Sequence, residues 1–312
     1  MKKTYILIMY AMGLLLMAGC TADSQTEATD AEQRVAIGVS TSMSDGDGTR
    51  AATDLQVSQF AVGETFNVYF PDSKATVTHA LFSVVDANGT TVLTEAEGNV
   101  QPYYVDKGTT VTLHAYYPQT VSETATSFTV QADQTADAAY MQSDLMYATT
   151  PDYARGTDVS VTVPLLFVHK LAKLTVIVKV DSDISNITNV SIVSGNRTID
   201  IADGTTCTLG TTLSDAITAE SPLTLYNDAT GTAALSCAAV LPPQAIDGAF
   251  IKVTTASDGS TNYTTTKTLV SGHNYTIVLN VSRAVLARTY GEIGNWTEPT
   301  EAYEDPNAVV HF

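Results

Sequence analysis

Residues 35–40 read Val35-Ala36-Ile37-Gly38-Val39-Ser40, with branched apolar side chains at alternate positions and small or polar ones between. Successive side chains of a β-strand point to opposite faces, so a period of two predicts a strand buried on one face only. The same texture continues along the chain. Residues 65–70, 75–79, 80–85, 90–94, 109–116 and 127–131 alternate or run rich in Val, Thr, Tyr and Phe, the composition that suits a pleated, half-buried surface. A second series covers residues 159–163, 165–170, 171–180, 187–194, 198–201, 234–241, 249–255, 263–269 and 275–281. Turn chemistry separates them: Asp86-Ala87-Asn88-Gly89 reads as a hairpin, and Asp106-Lys107-Gly108, Asp258-Gly259 and Ser271-Gly272 mark further turns. No segment carries a sustained i, i+3, i+4, i+7 apolar face. Residues 137–144 are the best place for a short helical turn. The expected fold is all-β, in two tandem β-sandwich domains with a seam within 151–164.

Outward from this body, the first residues have a different character. Lys2 and Lys3 precede an apolar run that ends in Leu16-Met17-Ala18-Gly19-Cys20. The run is short for a membrane span of about 20 residues, and small residues stand where a peptidase cuts, so 1–19 reads as a signal peptide. Leu16 to Cys20 resembles the bacterial lipobox, which implies acylation of Cys20 and a lipid anchor in the outer membrane. Residues 21–33 lack apolar periodicity and read as a stalk. Residues 44–50, Ser44-Asp45-Gly46-Asp47-Gly48-Thr49-Arg50, form a glycine and aspartate run that reads as an accessible loop. The resulting division is 1–19 signal, 20–50 tether with the first strand, 51–160 the first sandwich and 161–312 the second.

The 312 residues carry 33 acidic and 15 basic side chains. Removing 1–19 takes two of those 15 basic residues and no acid, which leaves a net charge of −20. Such a surface repels phosphates, so nucleic acid is excluded as a partner. Cys207 and Cys237 either pair in an oxidising compartment or serve as small buried apolar residues.

Catalytic patterns are missing. His79, His114, His169, His273 and His311 do not stand at metal-ligand spacing, and no nucleophile elbow or phosphate loop is present. His169 and His273 fall in strand-like segments, where a structural imidazole is the plain reading. Asp45-Gly46-Asp47-Gly48 lacks the remaining ligands of an EF-hand. The expectation is a protein with no catalytic residue, metal or cofactor. Tyr103-Tyr104 and Tyr116-Tyr117 are the basis of an alternative, a surface glycan-binding lipoprotein of a polysaccharide uptake system. Neighbouring tyrosines on a strand are expected to place one ring inside and one outside.

Several short signatures occur in order: Thr49-Arg50-Ala51, Asp144-Leu145-Met146-Tyr147-Ala148, Phe167-Val168-His169-Lys170-Leu171-Ala172-Lys173-Leu174, Val240-Leu241-Pro242-Pro243-Gln244, residues 269–279 and Ile293-Gly294-Asn295-Trp296. Together they resemble the fimbrillin family of Bacteroidetes lipoproteins across nearly the whole chain. The resemblance implies two transthyretin-like sandwiches and assembly into type V pili at the cell surface. It also implies an arginine-specific protease that removes the first strand, and a partner subunit that fills the vacated groove by strand addition. Arg50 is the matching cut site, with Arg34 as the alternative. The removable strand, residues 35–43 with Val35, Ile37 and Val39, would reach about 30 Å at roughly 3.3 Å per residue. The C-terminal Ala308-Val309-Val310-His311-Phe312 is either a donor strand, through Val309, Val310 and Phe312, or a last edge strand.

Overall fold

A computed structural model describes residues 34–43, 60–105, 109–180, 186–202, 206–209, 216–218, 222–227, 234–282, 289–295 and 303–305. All belong to one unit, Arg34–Phe312. Cys20, Arg50, Trp296 and the tail residues Val309, Val310 and Phe312 lie outside the described residues, as does the 44–50 loop. So does the Cys207 side chain.

The chain is built from β1 (Ala36–Met43), β2 (Thr65–Tyr69), β3 (His79–Val84), β4 (Thr91–Leu93), β5 (Thr110–Tyr117) and β6 (Ser127–Thr129). Then follow α1 (Asp137–Gln142), β7 (Met146–Ala154), β8 (Ser160–His169), β9 (Ala172–Val180), β10 (Ile187–Ile192), β11 (Gly195–Asn196) and β12 (Thr198–Ala202). The remainder comprises β13 (Thr206–Leu209), β14 (Ala216–Ile217), β15 (Leu223–Thr224), β16 (Tyr226–Asn227), β17 (Ala234–Leu241) and β18 (Ala245–Thr255). It closes with β19 (Ser260–Thr268), β20 (His273–Val281), β21 (Thr289–Asn295) and β22 (Tyr303–Asp305). The all-β expectation holds, and α1 is the single helix among the described residues.

Among the described residues two hydrophobic cores form. The first lies under a seven-stranded sheet ordered β1-β8-β7-β5-β2-β3-β4 and gathers Ile37, Phe66, Phe82, Leu113, Leu165 and Phe167. Phe60 enters it with ring centroids 4.9 Å from Phe167 and 5.3 Å from Tyr117, distances at which aromatic pairs attract. The second core receives side chains from a six-stranded sheet, β16-β17-β9-β20-β21-β22, and a four-stranded one, β15-β10-β18-β19. Alternation explains both: Val163, Leu165 and Phe167 on β8 are buried, whereas Thr162, Pro164 and Leu166 between them are exposed.

Three details differ from the sequence reading. Residues 159–163 and 165–170 join into the single strand β8, because the ladder to β1 uses backbone groups of odd-numbered β8 residues such as Val159, and Pro164, which lacks an N–H, faces the other edge. β6, grouped by sequence with the first series, pairs with β12. Residues 75–79 yield little strand: Ala75 makes one isolated bridge to Tyr104, and β3 begins only at His79. The span 151–164 covers the end of β7, the connection 155–159 and the start of β8, and side chains pass from the first core to the second between Phe167 and Leu171.

That crossing is pinned by polar contacts. Buried His169 hydrogen-bonds through Nδ1 to the buried Asp144 carboxyl, 2.8 Å from Oδ2 and 3.0 Å from Oδ1. The Lys170 amide donates to Leu145 O at 2.9 Å and the Gly272 amide to Leu171 O at 2.8 Å. The His169 imidazole is thus enclosed and joined to a carboxyl group just before β7, at the crossing between the cores.

Candidate functional site

Fully buried Ile37 and its neighbours Val35 and Val39 point into the first core from β1. β1 runs parallel to β8 over eight residue pairs, from Ala36↔Ser160 to Met43↔Phe167. Even-numbered residues of β1 turn their backbone groups toward β8, as the Ala36 amide does in donating to Val159 O at 3.0 Å. Odd-numbered residues turn theirs the other way. On that second edge the Ile37 amide donates to Pro102 O at 2.9 Å, Tyr104 N donates to Val35 O at 3.1 Å, and the Thr41 amide donates to Gly89 O at 2.8 Å.

Side chains complete the second edge. Gln101 Nε2 donates to Ile37 O at 2.8 Å, and Thr91 Oγ1 donates to Val39 O at 2.5 Å. Gly89 occupies the turn between β3 and β4 with φ +76°, and a Cβ placed there would stand 1.9 Å from Thr41 O. Only glycine fits both that conformation and that approach. The turn is itself braced: the Asn88 and Thr90 amides donate to Asp86 Oδ1 at 2.8 and 3.0 Å. Hydrogen bonds from Thr90 above all, then from Asn88, hold the Asp86 carboxyl below its usual range.

The other expected sites separate from this groove. Arg34 is exposed directly before β1. Cys237 is a free, buried thiol on β17, and burial pushes its pKa up to about 12. Tyr104 is buried as expected and its hydroxyl is pushed up to about 12 by that burial, while Tyr103 is half-buried. Tyr116 and Tyr117 depart from the one-in, one-out expectation, for both are buried: Tyr116 joins the second core and Tyr117 the first. Of the four rings only that of Tyr103 keeps exposed surface. Among the described residues no group of His, Cys, Asp or Glu could hold a metal ion, and no helix is long and apolar enough to cross a membrane.

One half-buried acid was not signalled by the sequence. Glu64 accepts from the Tyr117 hydroxyl at 2.8 Å and from the Ala61 amide at 2.6 Å. Burial raises its carboxyl pKa, against the lowering effect of these two hydrogen bonds, and Asp144 raises it further through repulsion. Burial also raises the Tyr117 hydroxyl, so the pair keeps its proton on the phenol.

The fimbrillin-like family model matches residues 49–296. The chain belongs to the fimbrillin-like family. β1 stands before the matched stretch and so outside it. No curated protein matches the chain. Among solved structures, a Bacteroides uniformis protein described as a cell adhesion protein is 20% identical, with a TM-score of 0.61 over 86% of this chain and 99% of its own. A Bacteroides ovatus protein described in the same words is 14% identical, with a TM-score of 0.63 over 86% and 99%. These likenesses establish a shared fold. Membership of the fimbrillin-like family implies a subunit of a cell-surface fimbrium.

Proposed function

We propose that this fimbrillin-like chain is an adhesive pilus subunit, exported as a lipoprotein on Cys20 to the cell outer membrane and activated by an arginine-specific protease. The cut falls after Arg50, and β1 then leaves. The groove beside β8 accepts a strand from another subunit. The observation that carries this reading is the position of β1: its side chains complete the first core, yet only residues 44–59 link it to the rest of that core. Burying Val35, Ile37 and Val39 contributes about 1.5–3 kcal/mol each, or roughly 5–9 kcal/mol together. That is comparable with the roughly 5–15 kcal/mol that stabilises a whole domain. A subunit without β1 therefore presents an unpaired ladder and an open core, the condition that drives strand addition.

The test uses the chain from residue 21 onward, treated briefly with an arginine-specific protease. A new N-terminus at Ala51, loss of the 21–50 peptide and growth of oligomers are the expected results, all abolished by Arg50→Ala. Cleavage at Arg34 instead would leave β1 in place and overturn the assignment. Resistance of both arginines, or a cut chain that stays monomeric, would point to a subunit that does not polymerise by this route.

A further inference from the structure

We infer that the groove grips its strand from both edges and selects it by register, through a clasp formed by Gly89, Thr91, Gln101 and Pro102. This inference rests on the strand-exchange reading and specifies the ligand of the same groove. The ligand class is an extended segment that runs parallel to β8, apolar at the positions of residues 35, 37 and 39, with Thr or Ser at position 41.

Each requirement has a separate cause. The parallel direction follows from the ladder of β1 on β8. The apolar period follows from Val35, Ile37 and Val39, buried against the first core. A shift by one residue would turn that whole set toward solvent. The hydroxyl at 41 follows from the clasp, for both the amide and Oγ1 of Thr41 donate to Gly89 O, at 2.8 and 3.3 Å.

The clasp differs in kind from a neighbouring strand. Of the β1 groups it meets, Ile37 O and Val39 O are bonded by side chains, Gln101 and Thr91, while the others are bonded by backbone from two separate segments. A backbone ladder can slide by two residues and re-form. Gln101 and Thr91 bond main-chain carbonyls, which recur every second residue and so grip the strand, whereas the Thr41 hydroxyl bond to Gly89 O is lost on any slip. Register is therefore set on the clasp side, and adhesion to the core on both.

The experiment uses the full mature chain with a recognition sequence for an unrelated, specific protease inserted in residues 44–59, so that scission does not depend on Arg50. After cutting, retention of the β1 fragment is followed against a fluorescent peptide of residues 34–43 in excess. The unaltered chain is expected to exchange its fragment slowly and take up the peptide. A peptide carrying Thr41→Val should bind roughly three- to tenfold more weakly, the loss of one hydrogen bond. Gly89→Ala should release the fragment at least about tenfold faster, since both its backbone conformation and the approach of Thr41 are lost. Thr91→Val keeps shape and removes only the hydroxyl, so it reads the clasp even where Gly89→Ala impairs folding; it should speed release by roughly three- to tenfold. Unchanged release from Thr91→Val together with unchanged binding of the Thr41→Val peptide would overturn the two-edged groove. That outcome is distinct from failure of the pilus reading, in which Arg50 is not cut or cut chains do not assemble whatever the clasp does.

Discussion

Among the described residues two strand pairs run parallel, β1 with β8 and β9 with β20, and they differ in what covers the other edge. β9 pairs with β20 from Lys173↔Asn274 to Val180↔Val281, and its opposite edge is a full antiparallel ladder on β17, from Ala172↔Leu241 to Lys179↔Ala234. β1 has a ladder on one side only and turns and side chains on the other. Both bury apolar side chains equally well, with Ile37 as fully enclosed as Val176. The pairing geometry is therefore the same and the reversibility is not. Withdrawing β9 would tear a sheet open on two continuous ladders, whereas withdrawing β1 dissolves one ladder and a clasp.

The largest effect expected on this comparison comes from the core itself. Ile37→Ala should lower the stability of the uncut chain by about 2–5 kcal/mol, as any large-to-small change at a closed site does. Urea titration of the first core would measure it. A loss below about 1 kcal/mol would mean that β1 lies on the core without completing it, and the plug reading would fall.

A smaller effect separates the two regions. Buried Gln134 accepts from the Val240 amide at 2.9 Å and donates to Val240 O at 3.0 Å, so it fastens the chain near α1 onto β17. Gln134→Ala leaves buried backbone groups without partners and should cost about 1–3 kcal/mol. The cost should fall on the second core alone, with the release rate of a cut β1 unchanged. Faster release in this variant would show the two cores to be coupled, and the contrast between their strands would blur.

The smallest effect is a slope. Glu64 has a folded pKa above its unfolded one, so the native chain holds that proton more tightly. Its contribution to stability is therefore largest at low pH and declines as pH rises from the ordinary carboxylate range through the raised folded value, then stays flat. Glu64→Gln does not titrate and should flatten this part of the profile of denaturation midpoint against pH. Identical slopes in both proteins would sink the assignment of a raised carboxyl to Glu64.

Much of the first-core strand could be read from residues 35–40, because a period of two reports burial through covalent geometry alone. The Asp86 to Gly89 turn was legible as a hairpin for the same local reason. Its second task was not: Gly89, Thr91 and Gln101 meet β1 across 48 to 64 positions of chain, and nothing in a turn signature says which distant carbonyl it will cover. Asp144 and His169 each stand in a recognisable stretch, yet their contact spans 25 positions and depends on β7 and β8 lying side by side. Tyr116 and Tyr117 were misjudged because alternation assumes one wet face, and the end of β5 meets a different core on each side.

The sequence by itself determined the strand content, the turns, the acidic surface and the family, since each is carried by local pattern or composition. Only the tertiary structure decided that β1 is held on two edges, that its partner strand is parallel, that Glu64 meets Tyr117 and that His169 is enclosed. The reason is physical: side-chain period fixes which face of a strand is buried, whereas the partner on each edge is fixed by which remote backbone groups remain to be satisfied once the core has closed.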